Sequence, residues 1–215
     1  MVKITVWDLP LRLFHWLLVV GVFAAWYTVE NNMLDEHVQV GIALFSLMVF
    51  RLLWGFFGSE TARFSHFLKS PAAAIATLKS LFVKSDEAPQ MGHNPLGGYV
   101  VILMLLAVLA QATMGLFAND DIFTEGPLYH LVGKDTSDAI SWYHIRFFNV
   151  ILGLVALHLL AIAFYQFYKK LNLTKPMITG KSDQHDGYDT HWSPMNFILC
   201  CVATYAFVWA ILNLL

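Results

Sequence analysis

Five stretches of this chain stay apolar long enough to cross a lipid bilayer: roughly residues 11–29, 38–57, 96–117, 142–167 and 195–214. A helix rises ~1.5 Å per residue, so ~20 apolar residues span a hydrocarbon core of ~30 Å. The runs are continuously apolar rather than alternating. Helices satisfy their own backbone polar groups in lipid, so the pattern predicts helices rather than barrel strands. The expected fold is all-α, an integral membrane helical bundle of about five transmembrane helices. The connections differ in kind. Residues 30–37 form a short acidic turn, 118–141 carry Asp120, Asp121, Glu125, Asp135 and Asp138 against Lys134, and 168–194 begin with lysines and end acidic. Within 58–95, SPAAAIATLKSLF opens with Ser70 as an N-cap and Pro71 at the first helical position. It reads either as a short amphipathic interfacial helix or as a soluble linker helix.

Composition agrees. Of 215 residues, 58% are hydrophobic and 13% charged, too apolar for one water-surrounded core. A net charge of −2 leaves no electrostatic footprint for nucleic acid. No C-x-x-C-H occurs, which excludes covalent haem attachment by motif. Adjacent Cys200 and Cys201 lie in an apolar run and read as small core residues. Residues 11–28 lack a small-residue cleavage site and are expected to be a retained first helix. With the N-terminus inside, eleven cationic residues fall on the inner side: Lys3, Arg12, Arg51, Arg63, Lys69, Lys79, Lys84, Lys169, Lys170, Lys175 and Lys181. Of the 13, only Lys134 and Arg146 fall outside. That asymmetry predicts a cytoplasmic N-terminus.

Histidines carry the candidate chemistry. His15, His37, His144 and His158 lie in or at the ends of spans, where ionisable groups are costly and usually functional. His144 and His158 are 14 residues apart in one span. At ~100° per residue they share a face, within about 40°, and stand ~21 Å apart along the axis. They are too distant for one metal ion and suit two planar cofactors at two depths. Depth pairs His37 with His144 towards the outside and His15 with His158 towards the inside. Two bis-histidine sites suit two non-covalent b-type haems, with no open iron position for oxygen chemistry. His66, His93, His130, His185 and His191 fall in loops, with solvated roles expected. His130 is the rival to His37 or His144. Arg12, Arg51, Arg63 and Arg146 flank the sites. Such arginines serve either as partners for haem propionates or as interface anchors. Gly21, Gly41, Gly115 and Gly153 lie inside spans, where small residues admit a neighbouring helix or a flat macrocycle.

VWDLPLRLFHW (6–16), RLLWGFFGSETARFSHFLKSP (51–71), GHNPLGG (92–98), ALHLL (156–160) and KPMITGK (175–181) carry a resemblance. The chain resembles the b-type cytochrome subunits of membrane-bound nickel–iron hydrogenases and the wider group of bacterial di-haem b-type cytochromes. The resemblance implies a bundle whose first four helices bind two b haems through His15, His37, His144 and His158. It also implies electron exchange between a quinone and a partner: a hydrogenase, a reductase or a c-type cytochrome. The bacterial inner membrane is the expected location. In place of the acidic residue that follows the first span-four histidine in many relatives, this chain has Ile145 and Arg146. The expected organisation is a di-haem domain over 1–181, then a polar segment and an additional transmembrane helix over 182–215.

Two other functions compete with quinone-linked electron transfer. A stand-alone superoxide:quinone oxidoreductase would want a basic outer face, and this one is acidic apart from Lys134 and Arg146. A non-redox anchor or transporter would show repeats or a charged midplane site, and neither is evident. No catalytic triad, phosphate loop or carboxylate pair is present, so enzyme status stays open between an electron-transfer subunit and a quinone-linked oxidoreductase.

Overall fold

The computed structural model describes residues 3–83, 91–184 and 188–214. Lys84 and His185 lie outside them. Five long apolar helices carry the chain: α1 (Leu9–Glu30), α2 (Leu34–Phe57), α5 (Pro95–Phe117), α6 (Lys134–Phe167) and α8 (Pro194–Leu214). Short α3 (Phe64–Phe67), α4 (Pro71–Lys79) and α7 (Thr174–Thr179) lie in the connections. A two-stranded antiparallel pair joins β1 (Ile4–Thr5) to β2 (Lys181–Ser182), Ile4 opposite Ser182. Burial within the chain differs among the spans, from 6% of the most apolar window of α6 to 44% of that of α2. Val20, Phe23, Leu160 and Phe167 stand more than half exposed, which is the surface a lipid-embedded helix presents. The chain is a multi-pass membrane protein.

Helix ends follow local chemistry. Asp8 caps α1 by accepting from the Leu11 amide at 2.6 Å. Asn32 ends α1 in the left-handed region, at φ 55°. Asp35 and Glu36 in the first turn of α2 suit the positive end of its dipole. Asn94 caps α5, accepting from the Gly97 amide at 2.7 Å, with Pro95 at the first helical position. Ser70 caps α4 as the sequence reading expects, accepting from the Ala73 amide. One boundary differs: α6 begins at Lys134, not near 142. The polar stretch Lys134–Ser141 contains no breaker, and Lys134 pairs with Asp138 one turn on, so the helix extends beyond its apolar part.

Two compact units divide the chain. The first comprises Met1–Leu13, Leu52–Leu103 and Val155–Cys200. Trp54, Phe67, Val6, Thr61 and Asp8 are its most buried side chains. Asp8 also accepts from Trp54 Nε1 at 3.1 Å and from the Ser59 hydroxyl, while Thr61 donates to the Val6 carbonyl at 2.7 Å. These bonds fasten the segment before α1 to the turn after α2. The second unit comprises Phe14–Arg51, Met104–Leu154 and Cys201–Leu215. Phe45, Ala112, Leu116, Leu128 and Val208 form its apolar cluster, uniting α2, α5 and α8.

Candidate haem site

In the second unit, α2 and α6 bring the His37 and His144 rings together. Their ring centres are 6.1 Å apart, with planes crossing at 78°. An imidazole nitrogen sits about 2.0–2.1 Å from a first-row metal and about 1.1 Å from its own ring centre, so two rings gripping one iron stand roughly 6.2 Å apart. The observed separation fits an iron between them.

The outer ring nitrogens support the same reading. His37 Nδ1 lies 2.9 Å from the Ala25 carbonyl, and His144 Nδ1 lies 3.0 Å from the Gln111 carbonyl. A carbonyl only accepts, so Nδ1 donates in both rings, and each Nε2 keeps its lone pair for a metal. Such carbonyl partners fix the tautomer and orientation of metal-binding histidines. Thr28 Oγ1 is 3.4 Å from His37 Nδ1 and donates back within α1. Gln111 holds α6 a second way, donating from Nε2 to the His144 carbonyl at 3.0 Å. Gly115 makes room: a Cβ there would sit 3.1 Å from His144 Cε1, tighter than ordinary contact. Among the described residues no cluster of three or more His, Cys, Asp or Glu is arranged to hold a bare metal ion. Two facing imidazoles with no further protein ligands suit iron whose equatorial positions a porphyrin fills.

His15 lies in α1 and His158 in α6, both half-buried. The His15 ring stands edge-on to Trp16, centres 5.0 Å apart. The two residues belong to different units. Arg12 donates from Nη1 to the Ile178 carbonyl at 2.6 Å, while its Nε is buried with no hydrogen-bond partner. Gly180 abuts the same guanidinium, so the 175–181 motif packs on Arg12. Arg51 is 2% exposed, 6.0 Å from the Phe14 ring centre. It lies 14 residues after His37 on α2, on the same face and ~21 Å further along. Arg146 is exposed and stacks on Trp142 at 3.8 Å, donating to the Trp142 carbonyl.

The remaining histidines divide. His130 sits on an exposed turn, and it is His37 that faces His144. His191 is exposed. His93 departs from the solvated role expected of it: it is half-buried between Trp7 and Phe67, ring centres 4.8 and 5.4 Å away. His66 is also half-buried, 3.7 Å from Glu60. Burial pulls its pKa below the usual imidazole value, against the pull of Glu60. Sequence reasoning missed Gln111 and Asp8. A lone amide inside the apolar run 96–117 was the signal for the first, and an Asp before Leu-Pro at a helix start was the signal for the second.

Spanning helices with a facing imidazole pair, and no motif for covalent attachment, define a multi-pass membrane cytochrome of the b type. The family model described as prokaryotic cytochrome b561 matches residues 6–180, and the chain belongs to that family. It is a membrane electron-transfer protein with b-type haem as its cofactor. No curated protein and no solved structure matches it. The stretch before α8, and α8 itself, lie beyond the family match.

Proposed function

We propose that this cytochrome binds two b haems, each between two histidines, and carries electrons between the quinone pool and a partner redox protein. The observation that carries the reading is the His37–His144 pair, 6.1 Å apart, with both Nδ1 atoms held by main-chain carbonyls. His15 and His158 form the second pair. The 14-residue spacing on α6 supports it, because it sets His158 on the His144 face about one cofactor layer away.

Held by these histidines, each haem would supply one-electron redox chemistry. The chain's residues do the rest. The Ala25 and Gln111 carbonyls orient the outer imidazoles, and Gly115 admits the His144 ring. Arg51, nearly buried in a span, and Arg12, with its Nε free of hydrogen bonds, offer cations for propionates of the inner haem. Bidentate pairing would offset the cost of holding a guanidinium in apolar surroundings. Arg146 keeps a cation beside the outer pair. Residues 1–181 make the haem-binding domain, and α8 is an addition to it. The distribution of Lys and Arg supports an N-terminus in the cytoplasm and a home in the inner membrane. The partner is a hydrogenase, a reductase or a c-type cytochrome.

Anaerobic mixing of the purified, oxidised protein with a short-chain quinol tests the quinone half of this reading. The account expects the reduced b-type bands to grow to near the level that dithionite produces. Full reduction by dithionite with none by quinol would contradict it.

A further inference from the structure

One apolar surface of the first unit faces outward without being part of a spanning helix. On α4 and the turn after it, Ile75, Leu78 and Phe82 follow one another at helical spacing. They are 53%, 53% and 73% exposed. The neighbouring stripe, Ala74, Thr77 and Leu81, faces the protein instead, so α4 carries two apolar stripes and the chain covers one.

The uncovered stripe is continuous with the end of α6. The Phe82 ring packs edge-on against Phe164 and Tyr168, centres 5.7 and 6.4 Å away. Tyr168 donates its hydroxyl to the Phe82 carbonyl at 3.2 Å, and Lys169 Nζ donates to the Val83 carbonyl. Phe167 beside them is 73% exposed, and Leu160, two turns back on α6, is 67% exposed, as lipid-facing side chains are. Lys69, Lys79, Lys169 and Lys170 lie in residues 69–83 and 164–172, and neither of these described stretches contains an acidic residue, Asp86 and Glu87 lying outside the described residues.

We propose that α4 lies in the headgroup layer of the membrane, sinking Ile75, Leu78 and Phe82 to the level of the acyl chains. Lys69, Lys79 and Lys170 then bind anionic phospholipid headgroups. An apolar stripe flanked by lysines is what an interfacial helix needs: burial supplies the hold, and charge supplies the preference for anionic lipid. Continuity with the lipid-facing end of α6 selects the bilayer over a soluble protein as the occupant.

Site-directed spin labelling of the full-length protein in nanodiscs tests this, with Cys200 and Cys201 replaced by Ser and the haem spectrum as the check on folding. Labels go at Leu78→Cys, Ile75→Cys and, as a control off the stripe, at the exposed Ala76→Cys. The labels at 75 and 78 should collide readily with oxygen and several-fold less with a water-soluble nickel chelate than the label at 76. Replacing phosphatidylcholine with phosphatidylglycerol should deepen that protection, and Lys79→Glu should remove the gain. Free access of the chelate to 75 and 78 overturns the proposal. So does shielding from both reagents, which would mean a protein partner or a second copy covers the stripe. Depth that ignores headgroup charge overturns the anionic preference.

Discussion

The facing of His37 and His144 depends on the groups around them. His144 keeps its orientation because a main-chain carbonyl of α5 holds its Nδ1 and a glycine leaves space beside Cε1. Only hydrogen fits at residue 115 without moving something, since even an added Cβ comes within 3.1 Å of the ring. Gly115→Leu should therefore push the ring off its axis and remove most of one haem per chain, while Gly115→Ala should retain it with a broadened or shifted spectrum. Pyridine haemochrome stoichiometry on the purified variants measures both. The 78° angle between the two imidazoles adds a spectroscopic expectation. Near-perpendicular axial rings give low-spin ferric haem a strongly anisotropic electron paramagnetic resonance signal. Gly115→Ala should alter that component first.

Helices α5 and α6 are joined by a reciprocal pair of bonds, with the Gln111 carbonyl accepting from His144 and the Gln111 amide donating to the His144 carbonyl. Helix α8 meets α2 and α5 in the apolar cluster around Leu116 and Val208. Leu116 is 3% exposed there, whereas Leu199 on α8 is 58% exposed. Leu116→Ala should cost roughly 2–5 kcal/mol of stability through lost burial and a cavity, and Leu199→Ala should cost little because lipid covers it in any state. Thermal loss of haem absorbance in detergent separates the two. The helices themselves were legible in the sequence, because twenty apolar residues in lipid have few other options. The cap of α4 at Ser70 could be read too. The extension of α6 back to Lys134 was not: a polar, breaker-free stretch is silent about whether it continues a helix. Nor was the burial of His93 between Trp7 and Phe67, since those contacts join residues far apart in the chain.

Across the whole molecule, charge and apolarity describe one arrangement from two directions. The spans expose apolar side chains, and along the sequence the cations gather in alternate connections. With the N-terminus in the cytoplasm, a cysteine at Glu125 should react with a membrane-impermeant thiol reagent in intact spheroplasts, and one at Lys79 only after lysis. The reverse pattern would invert the molecule. The sequence pairs His37 with His144, and the structure brings those two together; imidazoles in apolar spans are rare, which is what singled them out. His130 competed with His37 on sequence, and what separates them is that α2 carries His37 to face His144 while His130 stays on an exposed turn.

The central claim is that four imidazoles hold two haems in two pairs, and counting haem in single-histidine variants tests it most directly. Pyridine haemochrome analysis of the wild type should give two haems per chain. His37→Ala and His144→Ala should each leave one, with the same surviving spectrum, and His15→Ala and His158→Ala should leave the other. A wild type holding a single haem, or losses that group these histidines differently, would contradict the account.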